Sequence, residues 1–511
     1  MMNDIGIEFP TLLTTLIATL CLLLTSLLLR SWRVANRLGH IPGPNPLHSI
    51  IGHGLDAFAS ATTWNTTGTF PEPYLTYLKQ YGDVFRLREF LTHLVFLNDP
   101  KAIQHVLVTN TTNFPRDGII QSFLNDVMLG VSLLGANGAM HTKYRKLLDP
   151  LFASTQINSF LPLFDAQVQH SIDVLCANQS CGTPVDMGQV FQDMTLNVIG
   201  LAAFGFKFDQ YPQAHAVYKA YQTPPSGLAL VGMLFVPPFR DFPLPELVRR
   251  RQIQAKMKRV ITDVIDAKLV QTSEPRDLLD LLLQHSTTAE AVAHTMTFLT
   301  AGHETTSSIL ASTFALLNDK PTVCQRIRDE YNYVMATYGS LAKWDAVGEL
   351  KYTLAVIQET MRLHPTIFSI VSRTSLHDDH VPLLDGTVVF IPGGTRISIN
   401  MAIMHRHPKY WTDPDAFVPD RFVEGSVAWK ADLNLRGSKP HAFFYLPFSA
   451  GATTCIGHRF ALAEMRVILA KLLGNFEFQL TKAANVKPAF NGVTLSPSKL
   501  EMTVRAIGRS Y

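Results

Sequence analysis

One cysteine near the carboxyl end carries the most definite chemistry in this chain. It lies in Phe448-Ser-Ala-Gly451-Ala-Thr-Thr-Cys455-Ile-Gly457, a glycine-flanked loop leading into a helical pattern from His458 to Phe476. The mouth of a helix has unpaired N–H groups and the positive end of the dipole, so Cys455 is expected to have a lowered thiol pKa and to bind a metal as thiolate. Gly451 can take backbone angles closed to other residues, and Gly457 lets main chain approach a flat cofactor without a Cβ in the way. Phe448 is placed to wall the sulfur from water. Further upstream, Ala301-Gly302-His303-Glu304-Thr305-Thr306 sets an acid beside an alcohol inside an apolar helical run. The Thr305 hydroxyl can bond the carbonyl of Ala301 and bend the helix, with Gly302 adding flexibility, so that a groove opens there. Glu359 and Arg362 are three apart and His141 and Arg145 four apart, so each pair shares a helix face. Plainer readings exist for each alone: a cysteine is commonly a small buried hydrophobe, a helix bends for packing, and an exposed ion pair contributes little.

Long helices are needed to bring these groups together. Apolar residues recur at three- and four-residue spacing through Val260 to Leu283, Ala291 to Leu317, Leu350 to Leu363 and Phe460 to Leu473. Short alternating runs near Val84 to Phe96 and Val388 to Ile399 suggest strands. The expected fold is mainly α with a small β portion. With 511 residues, 47% of them hydrophobic, the chain can bury a large core. No linker, charge run or repeat divides it after residue 50, so residues 47–511 read as one catalytic domain. A net charge of +3 gives no sign of the concentrated basic face that nucleic-acid binding requires.

Phe9 to Leu29 contains no charged residue, and a stretch of roughly 20 apolar residues matches the core of a bilayer. Residues 1–29 are therefore expected to form a membrane anchor. Asp4 and Glu8 precede the span while Arg30, Arg33 and Arg37 follow it, which places the bulk of the protein in the cytosol. A cleaved signal peptide fits less well, because the span is long and its basic residues lie on the wrong side. Residues 30–46 end in Ile41-Pro-Gly-Pro-Asn-Pro46 and read as a basic, proline-rich hinge. The five cysteines, Cys21, Cys176, Cys181, Cys324 and Cys455, are scattered, with neither zinc-ligand spacing nor a disulfide framework.

The cysteine loop resembles that of cytochrome P-450, the haem-thiolate monooxygenase family, which reads Phe-x-x-Gly-x-Arg-x-Cys-x-Gly. This chain departs from it at Thr453, where the family usually has an arginine for a haem propionate. Ala301 to Thr306 looks like the family's oxygen motif, with a groove for O2 and water. That likeness implies that Thr305 hydrogen-bonds dioxygen while Glu304 helps bring protons through water. Glu359 and Arg362, with Arg421 in Phe417-Val-Pro-Asp-Arg421-Phe422, resemble the family's interlocked carboxylate and two guanidiniums beneath the haem. His141 and Arg145 match its propionate partners, and Arg373 is a third candidate that compensates for Thr453. The resemblance further implies the cytochrome P-450 fold preceded by one transmembrane helix, of the eukaryotic membrane-anchored (microsomal) type, and haem b with Cys455 as the axial metal ligand. By analogy the substrate pocket draws on Phe298, Ala301, Ile367, Ile370 and Val371, apolar positions that suit a lipophilic substrate. The apolar run Gly227 to Val236 is too short to span a bilayer and reads as an interfacial or buried segment.

A thiolate opposite bound dioxygen favours O–O cleavage, so the resemblance implies insertion of one oxygen atom by C–H hydroxylation or epoxidation. No flavin or nicotinamide fingerprint occurs in the chain. Electrons from NADPH are therefore expected through a separate diflavin reductase, with cytochrome b5 as a second donor, at the endoplasmic reticulum membrane. Lys143, Lys146, Arg436, Lys439 and Arg459 offer a positive docking patch, or simply a solvated surface. A haem-thiolate isomerase or dehydratase needing no reductase is an alternative that Glu304 and Thr305 together disfavour. A haem sensor or carrier is another, which reductase-dependent turnover would separate from an enzyme.

Overall fold

A computed structural model describes residues 9–45, 52–53, 63–179, 183–205, 212–223, 225–270, 277–490 and 493–507. Pro46 of the expected hinge and Cys181 lie outside them. The architecture is mainly helical with small sheets, as the hydrophobic periods predict. Helix α1, Phe9–Arg37, exposes Ile17, Leu22, Leu27, Leu28, Leu29 and Trp32. Among the described residues no helix is long and apolar enough to cross a membrane.

The run from Val84 folds as a hairpin, β1 (Val84–Glu89) and β2 (Thr92–Leu97), which pair antiparallel. Helices α2 (Gly138–Leu148), α3 (Met187–Phe204), α4 (Pro212–Gln222) and α5 (Gly227–Phe235) follow. The expected helical run Val260 to Leu283 is two helices instead. One ends at Val270, and the second, Leu278–Leu283, starts afresh on a capping box in which Asp277 and Asp280 satisfy each other's backbone N–H.

The central helix α6 spans Thr288–Leu317 and opens on a second capping box, Thr287 with Glu290. It is buried along most of its length and packs on α3 so closely that a Cβ added at Gly302 would meet Ile199 Cδ1 at 3.1 Å. Beyond it come α7 (Lys351–Leu363), β3 (Ser369–Thr374), β4 (Arg396–Asn400), α8 (Val427–Leu435) and α9 (His458–Asn475), then the hairpin β5 (Asn485–Phe490) and β6 (Leu495–Lys499). Strands β1, β2, β4 and β3 lie in that order in one sheet, with β2 and β4 parallel. Two cores result. The larger gathers α3, α6, α7 and α9, and the second joins the sheet to Trp411, Phe444 and Leu446 just ahead of the cysteine loop.

Candidate functional site

The loop carrying Cys455 is shaped by its own backbone. The Cys455 N–H donates to the Phe448 carbonyl at 2.8 Å, and the Thr454 N–H to that of Gly451 at 3.1 Å. Gly451 has φ +68°, and a Cβ there would lie 2.2 Å from the Leu107 carbonyl oxygen, so no other residue fits. At Gly457 an added Cβ would meet no protein atom, so its face of the loop is open. Phe448 packs against the larger core. Cys455 keeps an accessible face but sits deep in the protein, and depth governs its titration. Burial raises the thiol above its ordinary value, against the opposing pull of the Gly457 N–H and Arg145. The expected lowering is thus reversed, because desolvation outweighs the helix mouth. A bound cation deprotonates a coordinating thiol outright, so the metal must supply what the helix end does not.

Beside this loop lies a buried group of basic side chains. His141 and Arg373 are 8% and 6% exposed, and so is a residue the motifs did not mark, Arg116, at 7%. Arg116 and Arg373 face each other across a β-bridge. Among the described residues neither guanidinium pairs with a carboxylate, and the Nε of each is buried without a hydrogen-bond partner. Burial, then the neighbouring Arg373, brings Arg116 down to about 9, and burial brings Arg373 to about 10. His141 is held near 4 by burial and by the three arginines 116, 145 and 373. Arg145 is tied differently, to Asp149 at 2.6 Å and to the Thr454 carbonyl at 2.7 Å. Arg373 Nη2 donates to the Thr453 hydroxyl at 2.8 Å. The residue that departs from the family's loop therefore holds an arginine rather than being one.

A second buried cluster does contain carboxylates. Arg362 grips Glu359 with two bonds of 2.7 and 2.8 Å and donates to the carbonyls of His405, Pro414 and Ala416. Glu359 also accepts from the Val418 N–H at 2.8 Å, and Arg421 Nε stands 3.4 Å away. The nearer carboxylate of Arg421 is Asp432 on α8, at 3.0 and 3.1 Å. The expected triad is thus a larger network with a second acid. Asp432 also draws in Arg436, which is 3% exposed and stacks over Trp411. Arg436 is therefore no part of a surface patch, whereas Lys143, Lys146, Lys439 and Arg459 are exposed.

On α6 the Thr305 hydroxyl bonds the Ala301 carbonyl at 2.7 Å, as its spacing predicts, and the helix runs unbroken through it. Glu304 accepts a 2.7 Å bond from the Thr494 hydroxyl, just ahead of β6. Ala301 is exposed on the helix, Ile367 and Val371 are half-buried, and Phe298 is buried edge-on against Phe152. Ile370 packs in the second core beside Ile397 and Ile399.

Residues 42–504 match the family model described as Cytochrome P450. The chain belongs to that family. Cytochrome P450 3A7 of Homo sapiens is 26% identical over 500 residues, covering 91% of each chain. Cytochrome P450 monooxygenase 91 of Postia placenta is 28% identical, covering 91% of this chain and 92% of its own. Protein LUTEIN DEFICIENT 5, chloroplastic, of Arabidopsis thaliana is 27% identical over 83% of this chain and 72% of its own. This P450 is accordingly an oxidoreductase, a haem monooxygenase that uses haem b held by a cysteine thiolate, O2 and NADPH-derived electrons. The family works with a redox partner and on lipophilic substrates.

The residues present fit the haem. Cys455 would offer the sulfur, and the carboxylate-free Arg116 and Arg373 with His141 suit a dianionic edge. When bound, haem supplies the activation of dioxygen and the oxidising power. The P450's own contribution is to seat that group, order the polar side chains of α6 and keep bulk water out. Sequence reasoning missed Arg116, Asp432 and Thr494. Asp432 and Arg436 at i, i+4 were a usable signal for the second acid; Arg116 and Thr494 belong to no local spacing.

Proposed function

We propose that this P450 is an external monooxygenase of the endoplasmic reticulum membrane. Residues 1–29 anchor it as a single pass, residues 30–46 form the hinge, and residues 47–511 face the cytosol as the haem-thiolate domain. Electrons pass from NADPH through a diflavin reductase, with cytochrome b5 as second donor, and one oxygen atom enters a lipophilic substrate by C–H hydroxylation or epoxidation. Cys455 ligates the iron; His141, Arg145 and Arg373, joined by Arg116, meet the propionates. Phe448, Gly451 and Gly457 shape the loop around the sulfur. Thr305 orients dioxygen and Glu304 serves proton traffic, with Ala301, Ile367, Val371, Phe298 and Ile370 around the substrate.

One observation carries the haem reading. The loop that presents the sulfur also binds two of the cations, Arg145 through the Thr454 carbonyl and Arg373 through the Thr453 hydroxyl. Sulfur and propionate partners are therefore set in one frame. Membrane attachment is supported by the uncharged run from Phe9 to Leu29, the basic residues after it and the apolar side chains on α1. Leu228, Val236, Phe242 and Leu244, exposed around α5, add an apolar face that suits the lipid interface and entry of a lipophilic substrate. The Arabidopsis relative carries a chloroplast label in its name; the basic residues behind this apolar run bear on orientation, with the following domain on the cytosolic side.

The test is a reduced carbon monoxide difference spectrum of the purified full chain, followed by spin-state titration with a panel of fatty acids, sterols and terpenoids. The red-shifted Soret band of thiolate ligation is expected, and Cys455→Ala should abolish it. A band typical of nitrogen ligation, or protein that never binds porphyrin, overturns the proposal. Glycosylation at Asn65 or Asn110 would overturn the cytosolic orientation.

A further inference from the structure

Glu304 and Thr494 are 190 positions apart, yet the Thr494 hydroxyl donates to Glu304 Oε1 at 2.7 Å. Thr494 is 1% exposed. Its place is fixed by a short ladder, in which the Leu495 N–H donates to the Thr366 carbonyl at 2.9 Å and the Thr366 hydroxyl returns a bond to the Leu495 carbonyl at 3.1 Å. Thr366 follows Pro365 at the end of α7, the helix locked by Glu359 and Arg362. The hydroxyl facing Glu304 is therefore tied by that ladder to the end of a buried, ion-paired helix. On the other side the buried Tyr218 of α4 senses the same acid, its phenol raised by burial first and by the Glu304 charge second.

A glutamate side chain has several rotamers and loses freedom when one is chosen. Acid–base work tolerates little misplacement of the carboxyl group. A charge-assisted bond from a buried hydroxyl is strong enough to select one rotamer. We propose that Thr494 is a positioning residue for Glu304, fixing the direction from which its carboxyl group serves proton traffic at the oxygen site. This rests on the reading of Glu304 given above. It adds that the acid is governed from the final hairpin rather than from α6 itself.

The experiment uses the haem-loaded full chain with NADPH, a diflavin reductase and no added substrate. It measures the ratio of water to hydrogen peroxide formed from O2, together with the infrared carboxylate band that disappears in Glu304→Gln. Thr494→Val should lower the ratio about tenfold, the scale of losing one bond to a charged group, and should move the band. Thr494→Ser should restore both. A native ratio and unmoved band in Thr494→Val, with both altered in Glu304→Gln, overturn the proposal, as does failure of Thr494→Ser to restore them. A native ratio in Glu304→Gln overturns the underlying reading of the acid. If Thr494→Val fails to retain haem, Thr494→Ala is judged by the same criteria.

Discussion

Two buried groups of arginines flank the cysteine loop, and they are built on opposite principles. Around Arg362 and Arg421, two carboxylates and a set of backbone carbonyls answer the guanidiniums, so each has an acid facing it. Around Arg116 and Arg373, among the described residues, no carboxylate pairs with either, and the Arg373 charge adds to burial in lowering Arg116. Charge burial without an answering acid is costly. The first group therefore helps to make the fold, while the second leaves room for an anion brought from outside. Identical side chains meet an acid of the chain in one place and none in the other, and on the proposed reading that difference separates structure from ligand recognition.

Breaking the acid-paired cluster should have the largest effect. Glu359→Ala leaves the buried Arg362 without a carboxylate and is expected to destabilise the protein by about 3 to 5 kcal/mol, with loss of haem; urea unfolding and the haem-to-protein ratio check both. Acid should attack the same region. His405 is fully buried, its carbonyl holds Arg362, and its Nε2 accepts the Leu446 N–H at 2.8 Å, which only a neutral ring can do. Burial and then Arg362 hold it near 3. The unfolded chain takes up this proton below about 6.5 while the folded one does not, so stability falls as pH drops through that window. His405→Gln, which keeps an acceptor, should flatten the pH dependence of the urea midpoint.

The unanswered cluster should respond in the opposite sense. Arg116→Gln and Arg373→Gln are each expected to speed haem transfer to apomyoglobin about tenfold, while leaving the haem-free protein as stable as before or more so. A fall in haem-free stability like that of Glu359→Ala would erase the contrast. Thr453→Val is the gentlest probe. It removes the hydroxyl that steadies Arg373 and should accelerate haem transfer by only a few-fold; no change at all would make Thr453 a neutral replacement.

Local spacing made some of this legible and left the rest hidden. Cys455 with its glycines, the Thr305 bond to Ala301 and the Glu359–Arg362 grip are all encoded within a turn or two of chain, and each stands where the spacing places it. Arg116 and Thr494 act across tertiary distance, so no periodicity announces them, while Asp432 shows only through its i, i+4 spacing to Arg436. Arg436 looked like surface because charge usually is, yet it is buried through its tie to Asp432 and its stacking on Trp411. The thiol was misjudged for a related reason: a helix mouth is visible in sequence, whereas depth is a property of the whole packed molecule.

Gly451 is wedged against the Leu107 carbonyl, so backbone meets backbone where the sulfur-bearing loop approaches the short helical turn behind it. A change of side chain at position 453 leaves that stop untouched. An arginine can give way to a threonine there and the electrostatics be redistributed, while the loop keeps its stand-off as long as the glycine survives.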